Sequence, residues 1–92
     1  MIVRIATESQ YVVPDDAADE LNDLDNQVVA AVDAGDEDRF HEVFEQLIDL
    51  VRRAGQPLDE DEIAESDVII PPPDISFVEA AEEFTGEGLI PD

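Results

Sequence analysis

Apolar and polar positions alternate from the first residues of the chain. Val3, Ile5 and Thr7 fall on one side and Ile2, Arg4 and Ala6 on the other. This period of two predicts a β-strand with one charge turned outward. Glu8-Ser9-Gln10 reads as a turn, and Tyr11-Val12-Val13 as a second strand of β-favouring residues that Pro14 stops. The pair is expected to form a β-hairpin over residues 2–13.

The period then changes to that of a helix. Ala17, Leu21, Leu24, Val28 and Val32 recur at three- to four-residue intervals and form one apolar stripe. Asp15 and Asp16 are the N-cap candidates, Asp19 and Glu20 suit the first turn, and Gly35 ends the helix. Asp36 opens a second helix with the stripe Phe40, Val43, Phe44, Leu47, Ile48 and Val51. Arg52 and Arg53 occupy its last turn, with Gly55 and Pro57 marking the stop. So short a connection predicts an antiparallel αα-hairpin.

Beyond it, Asp59 and Glu62 form a capping box for a single helical turn that ends near Ile63. Val68-Ile69-Ile70 is a short apolar strand able to join the hairpin, and Pro71, Pro72 and Pro73 are expected to adopt polyproline II. Ser76 and Glu79 make another capping box, stapled by Ile75 and Ala80, for a last helix that runs to about Phe84 and halts near Gly86. Gly88-Leu89-Ile90-Pro91 is a terminal apolar tag. The expected architecture is one α+β domain over residues 1–92. An N-terminal β-hairpin plus a short third strand, forming a small antiparallel sheet, packs against an antiparallel helix pair, with a short C-terminal helix.

Charge changes this picture most. The 92 residues carry 26 acidic side chains against four arginines and no lysine, a net charge of −22. Surface scaling for a chain of this mass gives roughly 5,000 Å² when folded, so the excess charges lie about 15 Å apart. The Debye length is about 8–10 Å in ordinary buffer and about 3 Å at 1 M salt. Self-repulsion is felt in dilute salt and nearly vanishes in brine, so the composition is that of an extreme halophile. A carboxylate-rich surface opposes the precipitation that such a solvent favours. The same charge disfavours direct contact with nucleic acid or an anionic membrane. A membrane role is expected only through a partner. The chain shows no signal peptide or membrane span, so the expected location is cytoplasmic.

Candidate chemistry is sparse. Cysteine is absent, which removes disulfides, thiolate zinc sites and thiol nucleophiles. His41, the one imidazole, has Glu37 and Glu45 a turn away on either side. Three ligands on successive turns of one straight helix cannot converge on a small ion, because the outer two are about 12 Å apart. The pattern therefore reads as a helix-flank histidine. The acidic clusters at Asp15-Asp16, at Asp36-Glu37-Asp38 and from Asp59 to Glu62 lack the ligand spacing of a calcium loop and coincide with helix starts. No phosphate-cradling glycine loop or nucleophile elbow occurs. No cofactor, metal or catalytic residue is expected, and the chain reads as a non-enzyme.

Several segments resemble the PspAA family of PspA-associated domains. These are Ile2-Val3-Arg4-Ile5, Gln10-Tyr11-Val12-Val13, Leu21-Asn22-Asp23-Leu24-Asp25-Asn26, Ser66-Asp67-Val68-Ile69-Ile70-Pro71-Pro72 and Gly88-Leu89-Ile90-Pro91. Their order and spacing carry the resemblance nearly end to end, although Ser9 stands where a glycine is expected before Gln10-Tyr11. The resemblance implies an accessory of PspA, a coiled-coil protein that remodels and protects the inner membrane under envelope stress. It implies no catalytic residues. The expected function is an adaptor that binds PspA or a companion protein through an apolar contact around Tyr11, Pro71, Pro72, Pro73, Leu89 and Ile90. The alternatives are a homodimeric module whose helix stripe pairs with itself, and an acidic mimic of nucleic acid.

Charge alone generates the first prediction. The domain loses cooperative thermal unfolding in low-salt buffer and regains it in molar potassium chloride. Acidification to about pH 4 partly replaces salt, because protonated carboxylates no longer repel. A melting temperature indifferent to salt between about 0.1 and 2 M contradicts this account of the charge.

Overall fold

A computed structural model describes residues 1–6, 9–58 and 65–84. Its elements are β1 (Ile2–Ile5), β2 (Gln10–Val12), α1 (Asp15–Ala34), α2 (Glu37–Ala54), β3 (Gln56–Pro57), β4 (Val68–Ile70) and α3 (Phe77–Glu83). The turn at Glu8, the helical turn capped by Asp59 and Glu62, the stop at Gly86 and the tag with Leu89 and Ile90 lie outside the described residues.

The hairpin forms as the alternation predicts. Ile2 pairs with Val12, Val3 with Tyr11 and Arg4 with Gln10, all antiparallel, so Gln10 belongs to the strand and not to the turn. Backbone bonds between Met1 and Val13 extend the ladder at its open end.

The third strand corrects the expected antiparallel sheet. The order is β3-β2-β1-β4, and β4 runs parallel to β1, which makes the sheet mixed. Asp67 shows why the two strands start together. Its N–H donates to the Ile2 carbonyl (2.8 Å) and its Oδ2 accepts from the Ile2 N–H (2.8 Å), clamping the entry of β4 to the entry of β1. The short β3 at the far edge is also a correction, since residues 56–57 carry more than a helix stop. Gly55 is extended (φ −81°, ψ 150°), so the chain leaves α2 directly into pairing with β2.

The helix pair turns on two residues. Gly35 adopts the left-handed conformation (φ 68°) and the N–H groups of Gly35 and Asp36 bond back to Val32 and Ala31, closing a Schellman motif. Asp36 then caps α2, its Oδ1 accepting from the Arg39 N–H at 3.1 Å. At the other end of α1 the N-cap is Pro14, not Asp15 or Asp16. Pro14 already has the extended backbone a cap requires, and its carbonyl receives Ala17 and Ala18. The two aspartates take first-turn positions, where the helix dipole favours their charge.

Both helical stripes are spent in the core. Ala17, Leu21, Leu24 and Val28 of α1 and Phe40, Val43, Phe44, Leu47, Ile48 and Val51 of α2 join Val3, Ile5, Val68 and Ile70 from one face of the sheet. α3 is fastened by rings. Phe40 stacks on Phe44 (5.3 Å between centroids), Phe77 meets Phe40 edge-on (5.6 Å), and Phe84 meets both (6.3 and 5.7 Å). Ser76 caps this helix by accepting from the Glu79 N–H (3.2 Å), and Ile75 and Ala80 are both buried at its start. The proline run leads into a turn. The Ile75 N–H returns to the Pro72 carbonyl (3.0 Å), which closes a turn through Pro73 and Asp74. Proline's fixed φ suits the second position of such a turn.

The two glycines at the ends of the helices respond differently to a methyl group. A Cβ at Gly35 meets nothing within 4 Å but is strained by the positive φ, whereas at Gly55 it lies 2.5 Å from the Val51 carbonyl oxygen and 2.8 Å from Tyr11 Cβ. Gly35→Ala is expected to cost about 1 kcal/mol and Gly55→Ala about 2–3 kcal/mol, read by urea unfolding in molar salt.

Candidate partner-docking surface

Cross-strand partners share a face, so the register sorts the sheet residues. Val3, Ile5, Tyr11, Val68 and Ile70 turn toward the helices, and Ile2, Arg4, Gln10, Val12, Gln56 and Ile69 turn away. On that second face Ile69 is 60% exposed and Val12 40%, the most exposed large apolar side chains of the strands. Arg4 lies directly beside Ile69 in the register and is exposed. Among the described residues, no carboxylate comes within ion-pairing range of Arg4. The nearby Asp67 carboxylate is engaged with the Ile2 amide. Gln10 ties the face together: its carbonyl accepts the Leu58 N–H, and its side-chain amide reaches the Ser66 hydroxyl (2.7 Å).

A second concavity runs along the flank of α2. His41, Phe44, Glu45, Ile48, Asp49 and Arg52 form one wall and floor, and Pro73 the other wall, of a groove of about 310 Å³. Phe44 and Ile48 are themselves buried, so the groove offers little apolar surface of its own. His41 Nε2 stands 3.7 Å from Glu37 Oε1 with both side chains exposed, an ordinary i,i+4 helix pair. Among the described residues no three histidine or carboxylate side chains converge as a metal ligand set.

Of the six candidate contact residues, the four among the described residues lie in two separate places. Tyr11 packs inward against the core beside Gly55, and β1 separates it from the proline run that follows β4. Pro71 is buried, Pro72 half-buried and Pro73 exposed at the groove. Leu89 and Ile90 lie outside the described residues. Sequence reasoning missed Ile69, because in a fully apolar strand periodicity does not show which residue faces out. It also missed Asp25, which is completely buried on α1 and held by a polar or electrostatic partner; its spacing from Leu21 and Val28, which puts it on the apolar stripe, is the signal that marks it.

A family model described as PspA-Associated protein matches residues 1–92. The chain belongs to the PspAA family. Neither the curated proteins nor the solved structures compared with it gave a match. The PspAA match covers every element described above, from β1 to α3, and the family's name implies an association with PspA. Among the described residues, no helix is long and apolar enough to cross a membrane.

The clamp at the entry of β4 is testable by mutation. Asp67→Ala removes an acceptor from the Ile2 amide and is expected to cost about 1–2 kcal/mol of stability. The loss is measured as a lowered urea midpoint in molar salt; an unchanged midpoint shows that Asp67 does not hold β4 to β1.

Proposed function

We propose that this chain is a non-catalytic cytoplasmic adaptor. It binds a PspA-type coiled-coil protein, or a companion of it, within an envelope-stress system, and reaches the membrane only through that partner. The family match over the whole chain carries this reading. The geometry supports it in two ways. The sheet presents apolar side chains on the face away from the helices, as a docking module does. The net charge of −22 opposes unaided contact with anionic lipid or nucleic acid. Self-association through a helix stripe is the weaker alternative, because the stripes of α1 and α2 are consumed by the core.

The test is co-purification of the tagged full chain from its source cells in high-salt buffer. A PspA homologue is the expected enriched protein, identified by mass spectrometry and absent from a mock preparation. Enrichment of no such protein, or direct adhesion of the purified chain to anionic vesicles, overturns the adaptor reading.

A further inference from the structure

We infer that the docking site is the patch formed by Arg4 and Ile69 at the β1–β4 edge of the sheet, and that it receives an apolar segment of the PspA-type partner that carries a carboxylate. This rests on the proposed adaptor function and adds the surface and the chemistry of the contact.

Three observations select the patch. The two edges of the sheet are unlike. β3 is two residues long and contains Pro57, features that blunt an edge, whereas β4 is an apolar Val-Ile-Ile strand with no charge of its own. Among the described residues, nothing pairs with the outer side of β4. Ile69 is largely exposed there, and an apolar side chain beside a cation that no carboxylate of the described residues engages suits a contact that buries both.

The charge of the occupant follows from Arg4. The chain has 22 excess negative charges, yet among the described residues no carboxylate engages the exposed Arg4 guanidinium, whose donors therefore face a partner rather than an acid of those residues. Its burial under a partner is favourable only if that partner supplies the anion, because an unpaired charge taken out of water is costly. Arginine's fork suits a carboxylate. A pair enclosed in an apolar contact is screened far less by salt than an exposed one, so it retains its value in brine. The helical side of the molecule is lined by exposed acids such as Asp15, Asp19, Glu42, Glu45 and Asp49, which offer a carboxylate no cationic counterpart.

The experiment measures binding of the full chain to the purified PspA homologue of the same organism by calorimetry in about 2 M potassium chloride. The panel comprises the unaltered chain, Arg4→Gln, Arg4→Glu, Ile69→Asp and Val78→Asp. Val78 is 72% exposed on α3 and serves as the control for an added charge elsewhere. Circular dichroism confirms the fold of each variant, and Ile69→Ala replaces Ile69→Asp if the latter fails to fold. Arg4→Glu and the Ile69 variant are expected to weaken binding at least about tenfold, Arg4→Gln less than Arg4→Glu, and Val78→Asp not at all. Binding by the unaltered chain with no loss in the Arg4 and Ile69 variants overturns the assignment and leaves the adaptor function standing. Loss on Ile69 substitution with Arg4→Gln and Arg4→Glu both unaffected overturns the carboxylate partner. No binding by the unaltered chain overturns the adaptor function and the assigned patch with it.

Discussion

The burial of one face of β1 under the helix pair is the constraint from which the rest of the molecule follows. Val3 and Ile5 are fully removed from water, and β1 is an inner strand that joins the antiparallel β2 to the parallel β4. Because side chains on a strand alternate, sealing Val3 and Ile5 inside compels Arg4 to stand outside. The same register sends Val12 and Ile69 outward while Tyr11, Val68 and Ile70 turn in. A slip of one residue reverses both faces and places a guanidinium in the core, so the pairing has one acceptable register.

Holding β1 in that position takes few polar groups. Asp67 binds both backbone groups of Ile2, Gln10 reaches Leu58 and Ser66, and Gly35 with Asp36 folds α2 back along α1. Each of these satisfies backbone or side-chain groups at an element boundary, where ladders and helices leave donors and acceptors without partners. The ring cluster of Phe40, Phe44, Phe77 and Phe84 performs the corresponding task for α3, a helix too short to be stable without packing. The acidic surface is thus supported on a core whose contacts are apolar, and apolar contacts strengthen under salting-out conditions, whereas exposed ion pairs weaken.

Much of the fold is legible in the sequence. The helix boundaries at Gly35, Asp36 and Gly55, the two apolar stripes, the hairpin and the Ser76 cap are local features in which period, cap chemistry and glycine placement agree. The N-cap of α1 moved by one residue because Pro14 offers the right backbone without a side-chain acceptor, and cap preference weighs the side chain alone. The proline run leads into a turn because the Pro72 carbonyl found the Ile75 amide, a partner three residues on that composition does not reveal. Of the expected contact residues, Tyr11 is partly buried against the core and Pro71 is buried, a matter of tertiary packing that residue type does not show.

What the sequence determined by itself is the set of properties that depend on neighbours within a turn or a strand and on the sum of charges: element type, caps, the αα-hairpin and the carboxylate surface. What only the tertiary structure decided is which strand lies beside which and in what direction, and therefore which side chains remain in water. The parallel entry of β4 and the pairing of Ile69 with Arg4 each join residues far apart in the chain. Their energies come from contacts that exist only once the chain has closed on itself, so no local pattern encodes them.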